Sequence, residues 1–124
     1  MSEPEAGVDW RGEAERVAAA LAAQFGEAFD FGPASLRRLD AALAEWLSFA
    51  EVYAAPGESL EHLARPLAAY VGEVLVRQAG GRWLEPAEEA TIVLPAGAVL
   101  ALEDLARLVL SRAVPPNFTR LLPG

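Results

Sequence analysis

Cysteine and lysine are both absent from the 124 residues, and histidine occurs once. Without cysteine the chain has no disulfide and no thiolate to offer a metal. With His62 as the sole imidazole, every mechanism needing two is excluded, the usual zinc constellations among them. A Ser-His-Asp triad would have to use the same ring, and no serine lies in a G-x-S-x-G elbow. The missing lysine, with no G-x-x-x-x-G-K-[ST] run, removes phosphate binding of the P-loop kind. No apolar run reaches the length of a membrane span. Positive charge is scarce too. Ten basic residues, all arginine, stand against 18 acidic ones, for a net charge of -8. That balance argues against nucleic acid and anionic membranes as partners, since both attract clustered positive charge.

What is present is apolar and helix-forming. Hydrophobic types make up 53% of the chain, enough for one domain over residues 1–124 with its own core. Alanine and arginine are abundant, as a GC-rich bacterial genome or selection for helix propensity would give. The acidic opening segment, 1–10, is unlike a secretory signal, so a cytoplasmic location is expected.

Apolar periodicity divides the chain into segments. Trp10, Val17, Leu21 and Phe25 share a face over 9–25, with Asp9 as cap and Gly26 as stop. A second helix is predicted from Ser35, as N-cap, to about residue 54, with Leu36, Leu39, Leu43, Trp46, Leu47 and Ala50 on one stripe. Pro56-Gly57 breaks it, and Ser59 can cap a third segment. There Pro66 imposes a short turn before Arg65 and then a new start or a kink, with helix continuing to Ala79. The stretch 66–79 is apolar nearly all round and should be the most buried helix. After the Gly80-Gly81 stop the period becomes extended, and 82–85, 90–94 and 98–101 read as three short strands in an antiparallel meander. A last helix runs from about Glu103 to about Arg112, with Leu105, Leu108, Val109 and Arg112 as its buried stripe. The fold class is therefore α+β: N-terminal helices, a small three-stranded meander and a closing helix. A core region spans about 35–112, and a tail, 113–124, carries Phe118, Leu121 and Leu122.

Few residues offer chemistry. His62 reads as a half-exposed helix histidine beside Glu58 and Glu61. Glu85, Glu88 and Glu89 read as a solvated turn that guards an edge strand, with a weak divalent-cation site as the sharper alternative. Glu73 is the one charge on the apolar helix whose neighbours could perturb it; the plain reading is an ion pair with Arg77 at i,i+4, extended to Arg82 or a backbone N–H. Gly72 implies close packing of another element, and Trp83 reads as a core anchor with its indole N–H bonded.

The run from Tyr70 to Trp83, with Gly72-Glu73 followed by Gly80-Gly81-Arg82-Trp83, resembles a group of uncharacterised bacterial domains. In that group a Gly-Glu helix leads through Gly-Gly-x-Trp into a small meander and a closing helix. The segment Ser35-Leu36-Arg37-Arg38-Leu39-Asp40 resembles the Ser-Leu-x-x-Leu-Asp opening of the group's first helix. The likeness covers 35–112 and implies a fold without an established activity; where the group has a proline at the sheet-to-helix junction, this chain has Ala101-Leu102.

Two functions follow as expectations. The first is a non-catalytic bacterial protein-interaction or regulatory module, needing no cofactor and working through a protein partner or as a homo-oligomer. The second is a small-molecule-binding domain or minor enzyme with a pocket around Tyr70, Glu73, Arg77 and Trp83. The state of Glu73 discriminates between them. An open cavity at its carboxylate favours the second reading, and a closed pair favours the first.

Overall fold

Local stops in the sequence set the first helix. In the computed structural model, which describes residues 9–53, 60–84 and 89–122, α1 spans Trp10–Phe25. Asp9 caps it by accepting the Gly12 N–H at 3.2 Å, and Gly26 closes it in the left-handed region that favours glycine. Its buried face is Trp10 and Ala14, while Val17, Leu21 and Phe25 are only half-covered.

α2 spans Pro33–Tyr53 and begins ahead of the expected Ser35. Proline suits a first helical turn because its φ is already set and its missing N–H would have no helical partner there. Ser35 consequently lies inside the helix, and its hydroxyl donates back to the Gly32 carbonyl at 2.7 Å. Leu36, Leu39, Leu43 and Leu47 form the buried stripe, with Trp46 beside it half-buried. The Pro56-Gly57 break and the Ser59 cap lie outside the described residues, as do Glu85 and Glu88 of the acidic cluster.

The short turn before Arg65 is a 3-10 turn, Glu61–Leu63, and α3 starts directly after it as Ala64–Ala79. Pro66 is the third residue of α3, within the turn whose N–H groups have no intrahelical acceptor, so the helix runs through it. From Leu67 to Leu75 every residue of α3 is buried. It is the central helix that its all-round apolar sequence predicts, with α1 and α4 packed on it. Gly80 caps it in the left-handed region, and the Gly81 N–H donates to the Leu75 carbonyl at 3.1 Å.

Three strands follow: β1, Arg82–Trp83; β2, Thr91–Val93; and β3, Val99–Ala101. They pair antiparallel in the order β1-β2-β3, with Trp83 opposite Ile92 and Ile92 opposite Leu100. This is the expected meander with shorter strands. Ile92 alone of the strand residues is fully buried, and the sheet packs on α3 through β1 and β2.

α4 spans Leu102–Leu110 and departs from expectation in its buried face. It starts directly after β3, where the Leu102 N–H donates to the Ala90 carbonyl at 3.0 Å. Leu102, Glu103, Ala106, Val109 and Leu110 are buried. Leu108 is exposed, Leu105 half-buried, and Arg112 lies beyond the helix, donating to the Leu47 carbonyl at 2.9 Å. Of the expected stripe, Val109 is buried and Leu105 packs half-buried against the core, while Leu108 and Arg112 are corrected.

The tail folds back onto its own chain. Phe118 opens a 3-10 turn, Phe118–Leu121, and is buried, with Leu121 and Leu122 half-buried beside it. The carboxylate of Asp40 on α2 accepts three bonds there: from the Phe118 N–H at 2.7 Å, the Thr119 N–H at 3.0 Å and the Thr119 hydroxyl at 2.7 Å. A charge-assisted bond contributes about 1.5–3 kcal/mol, and a buried phenylalanine about as much again. Asp40→Ala should therefore lower the unfolding free energy in urea by about 2–4 kcal/mol; an unchanged midpoint would show that Phe118 docks without the carboxylate.

Candidate functional site

Glu73 is 1% exposed, on a helix whose other residues there are apolar. Burying a carboxylate without partners is costly, so the bonds around it matter. Its Oε2 faces Arg77 Nε at 3.0 Å, one helical turn on, and Arg11 Nε of α1 at 3.6 Å. Its Oε1 accepts the Trp83 indole N–H at 3.1 Å. The carboxylate thereby joins α1, α3 and β1, and Arg11 supplies the second cation where the sequence reading places Arg82. The guanidinium groups keep access to water, Arg77 at 41% exposed and Arg11 at 65%.

Gly72 explains how Trp83 reaches this carboxylate. A Cβ placed on Gly72 would lie 2.1 Å from the Trp83 ring, so only glycine lets the indole settle on the helix. Trp10 stacks on that ring, centroids 5.4 Å apart and planes at 15°, and the Arg65 guanidinium stands 5.5 Å from the Trp10 ring. The Trp10 indole N–H is buried and makes no hydrogen bond.

Tyr70, the fourth expected site residue, belongs to a neighbouring arrangement. Its hydroxyl accepts the Phe31 N–H at 3.1 Å and lies 2.6 Å from Ser35 Oγ. Because the single Ser35 proton goes to the Gly32 carbonyl, Tyr70 must be the donor to Ser35. Phe31 holds a left-handed backbone, φ 67°, which is strained for a residue with a Cβ. It is retained by the Tyr70 bond, by the Gln78 amide donating to its carbonyl at 3.1 Å, and by its ring stacked 4.9 Å from Tyr70. Arg77 connects the two arrangements, its guanidinium 4.2 Å from the Phe31 ring while its Nε faces Glu73. Burial raises the Tyr70 phenol above its ordinary 10.0, reinforced by Asp30, with the Ser35 and Phe31 bonds and Arg38 opposing.

A third polar arrangement has no counterpart in the sequence reading. Glu103, expected only to face the positive end of a helix dipole, is buried and accepts the Ala90 N–H at 2.8 Å. Arg107 bonds Glu61 at 2.5 Å and Asp104 at 2.8 Å, and reaches Glu103 at 3.5 Å and Glu89 at 3.8 Å. Glu89, the described member of the expected acidic cluster, thus has a cation beside it. His62 is exposed on the 3-10 turn. Among the described residues no three histidine, aspartate or glutamate side chains are grouped to hold a metal ion, and no helix is long and apolar enough to cross a membrane.

One cavity lies away from these groups. About 440 Å³ in volume, it is lined by residues of α1, α2, α3 and α4, including Val17, Leu21, Trp46, Pro66 and Leu110. None of Tyr70, Glu73, Arg77 and Trp83 lines it. The structure therefore brings Glu73, Arg77 and Trp83 into mutual contact, places Tyr70 next to them across Phe31, and assigns the cavity to a different set of side chains. No sequence signal marks it: Val17, Leu21 and Phe25 read there as an ordinary core stripe, and their half-burial belongs to the structure. Compared with protein-family models, curated proteins and solved structures, the chain matches none.

Two substitutions test these arrangements. Gly72→Ala gains about 1 kcal/mol of helix propensity but overpacks Trp83 at about 1–3 kcal/mol, so a net loss of stability and a shifted tryptophan emission are expected. Tyr70→Phe leaves the Phe31 N–H and the Ser35 hydroxyl short of a partner and should cost about 1–3 kcal/mol at neutral pH. It should also flatten the alkaline limb of the stability profile. The unfolded phenol ionises first, near its ordinary value, and the folded one only at higher pH. Stability from the neutral phenol is thus complete below pH 10 and lost as pH rises above it. With no lysine or cysteine, the two tyrosines are the side chains that titrate in that range, so urea unfolding at rising pH reads the effect directly.

Proposed function

We propose that the chain is a non-catalytic interaction or regulatory module of a bacterial cytoplasm, acting through what it binds and not through turnover. The observation that carries this is the closure of Glu73. Both of its oxygens are engaged, by Trp83 on one side and by Arg77 and Arg11 on the other. A general acid or base needs a carboxylate that a substrate can reach at hydrogen-bond distance, and this one faces its own fold. The two further buried polar groups, Ser35 and Glu103, likewise bond within the chain. Kinship with the Gly-Glu, Gly-Gly-x-Trp group is part of the proposal, supported by the physical need for glycine beneath Trp83.

Protein contact is the proposed mode, with a second copy the first partner to examine, since self-association is the commonest form in soluble proteins. The tail is not offered as the contact surface, because Phe118 is already buried against α2. Among the large apolar side chains that stand exposed in the described residues, Val99 on the edge strand β3 and Leu108 on α4 favour a partner. Sedimentation over a wide concentration range should show reversible association; a monomer throughout removes the self-association form.

Glu73→Gln tests the non-catalytic half. Breaking a fully buried pair costs about 3–5 kcal/mol, whereas exposed pairs contribute about 0–1. With a buried carboxylate and half-exposed arginines, a loss of about 1–3 kcal/mol in urea is expected, with association intact. Unchanged stability together with loss of a measured activity would assign Glu73 to catalysis.

A further inference from the structure

We infer that the cavity between the helices is a binding site for a small, uncharged molecule with a mainly hydrocarbon skeleton, of the kind represented by a medium-chain alcohol. The inference deepens the binding reading above and rests on it only for the claim that the ligand leaves chemically unchanged.

Size and shape come first. The volume, about 440 Å³, falls within the range of small-molecule sites, roughly 300–1,000 Å³. Side chains from all four helices converge on it. Leu39, Leu43, Leu67 and Leu110 are buried and form its floor, while Ala20 and Gln24 are exposed and mark its mouth. A partner helix laid in a groove rests on a long face of two elements; here the floor draws leucines from α2, α3 and α4 together.

Chemistry sets the ligand class. Gln24 is the sole lining residue with an amide or charge-bearing type of side chain, and no charged residue lines the cavity. An ion placed there would lose its hydration with no opposite charge to meet it, which excludes charged ligands. The Gln24 amide at the mouth can accept or donate one bond to a neutral polar group, leaving the hydrocarbon on the leucine floor.

The tail's one aromatic residue does not line the cavity. Phe118 is buried at the Asp40 site on α2. The stretches 1–8, 54–59, 85–88 and 123–124, which lie outside the described residues, contain no aromatic residue, leucine or isoleucine.

The test uses the full chain and N-phenyl-1-naphthylamine, an uncharged fluorophore that brightens in apolar surroundings, displaced by a series of n-alkanols. The expected result is saturable one-to-one binding, with alkanol competition strengthening roughly fourfold per added methylene until the cavity is full and then levelling. Ala20→Trp, at an exposed helix position on the mouth, should weaken probe binding about tenfold or more with melting unchanged. Should that variant not fold, the levelling of the wild-type series decides alone. Non-saturating fluorescence, a series without a plateau, wild-type affinity in folded Ala20→Trp, or expulsion of the probe as the protein self-associates would each overturn the site. The last result would make a second copy the occupant. Recovery of the alkanol unaltered supports the non-catalytic reading, and its chemical conversion would defeat that reading while leaving the site in place.

Discussion

A carboxylate inside the apolar surface of α3 has to be satisfied, and the arrangement of the helices and sheet around it follows from that need. Arg77 is available from the same helix, but its guanidinium meets Oε2. The second oxygen takes the Trp83 indole N–H, which reaches it because Gly72 leaves room for the ring. Trp83 in place then offers a flat face, and Trp10 at the start of α1 covers it. Arg11, next in sequence to Trp10, completes the charge balance from above. One buried acid thus fixes the direction in which the chain leaves α3 into the sheet and the site where α1 returns to α3. Such a node favours one packing over alternatives, because a misplaced strand or helix would leave a charge uncompensated.

The same economy of partners underlies the proposed non-catalytic role. Among the described residues, Glu73, Glu103, Ser35 and Tyr70 are the buried groups with chemical reach, and each is bonded to another part of the chain. Even the strained backbone of Phe31, the kind of feature that often marks an active site, is surrounded by Tyr70, Gln78 and Arg77. Its strain is explained by packing. Open space appears where polar groups are scarce, between α1 and α2, and its lining suits apolar contact.

Much of this architecture was legible from local sequence. The all-round apolar run of α3, the glycine stops at Gly26 and Gly80, the period change after Gly81 and the close approach of another element at Gly72 all rest on local pattern and backbone preference. The Glu73–Arg77 pair was legible for the same reason, since i,i+4 spacing on a helix forces proximity. Arg11 and Asp40 were not, because their partners lie 62 and 78 residues away and no period encodes such contacts. The buried face of α4 follows the helix's own pattern, since Leu102, Ala106, Val109 and Leu110 recur at i, i+4, i+7 and i+8; a helix read from Glu103 leaves Leu102 out and turns the stripe. The cavity was hidden for a different reason. Val17, Leu21 and Phe25 read as an ordinary core stripe, and only the placement of α2 leaves them partly uncovered.

The central claim is that the Glu73 node is closed and as stable as the core around it. Hydrogen exchange of the indole N–H groups, followed by NMR at neutral pH, tests it most directly, because Trp83 donates to Glu73 within that node. The account predicts that the Trp83 indole proton exchanges as slowly as the backbone amides of α3 between Leu67 and Leu75, since both open only with the core. Rapid exchange at Trp83 while those amides stay protected would show a carboxylate that opens independently to solvent, and would contradict the claim.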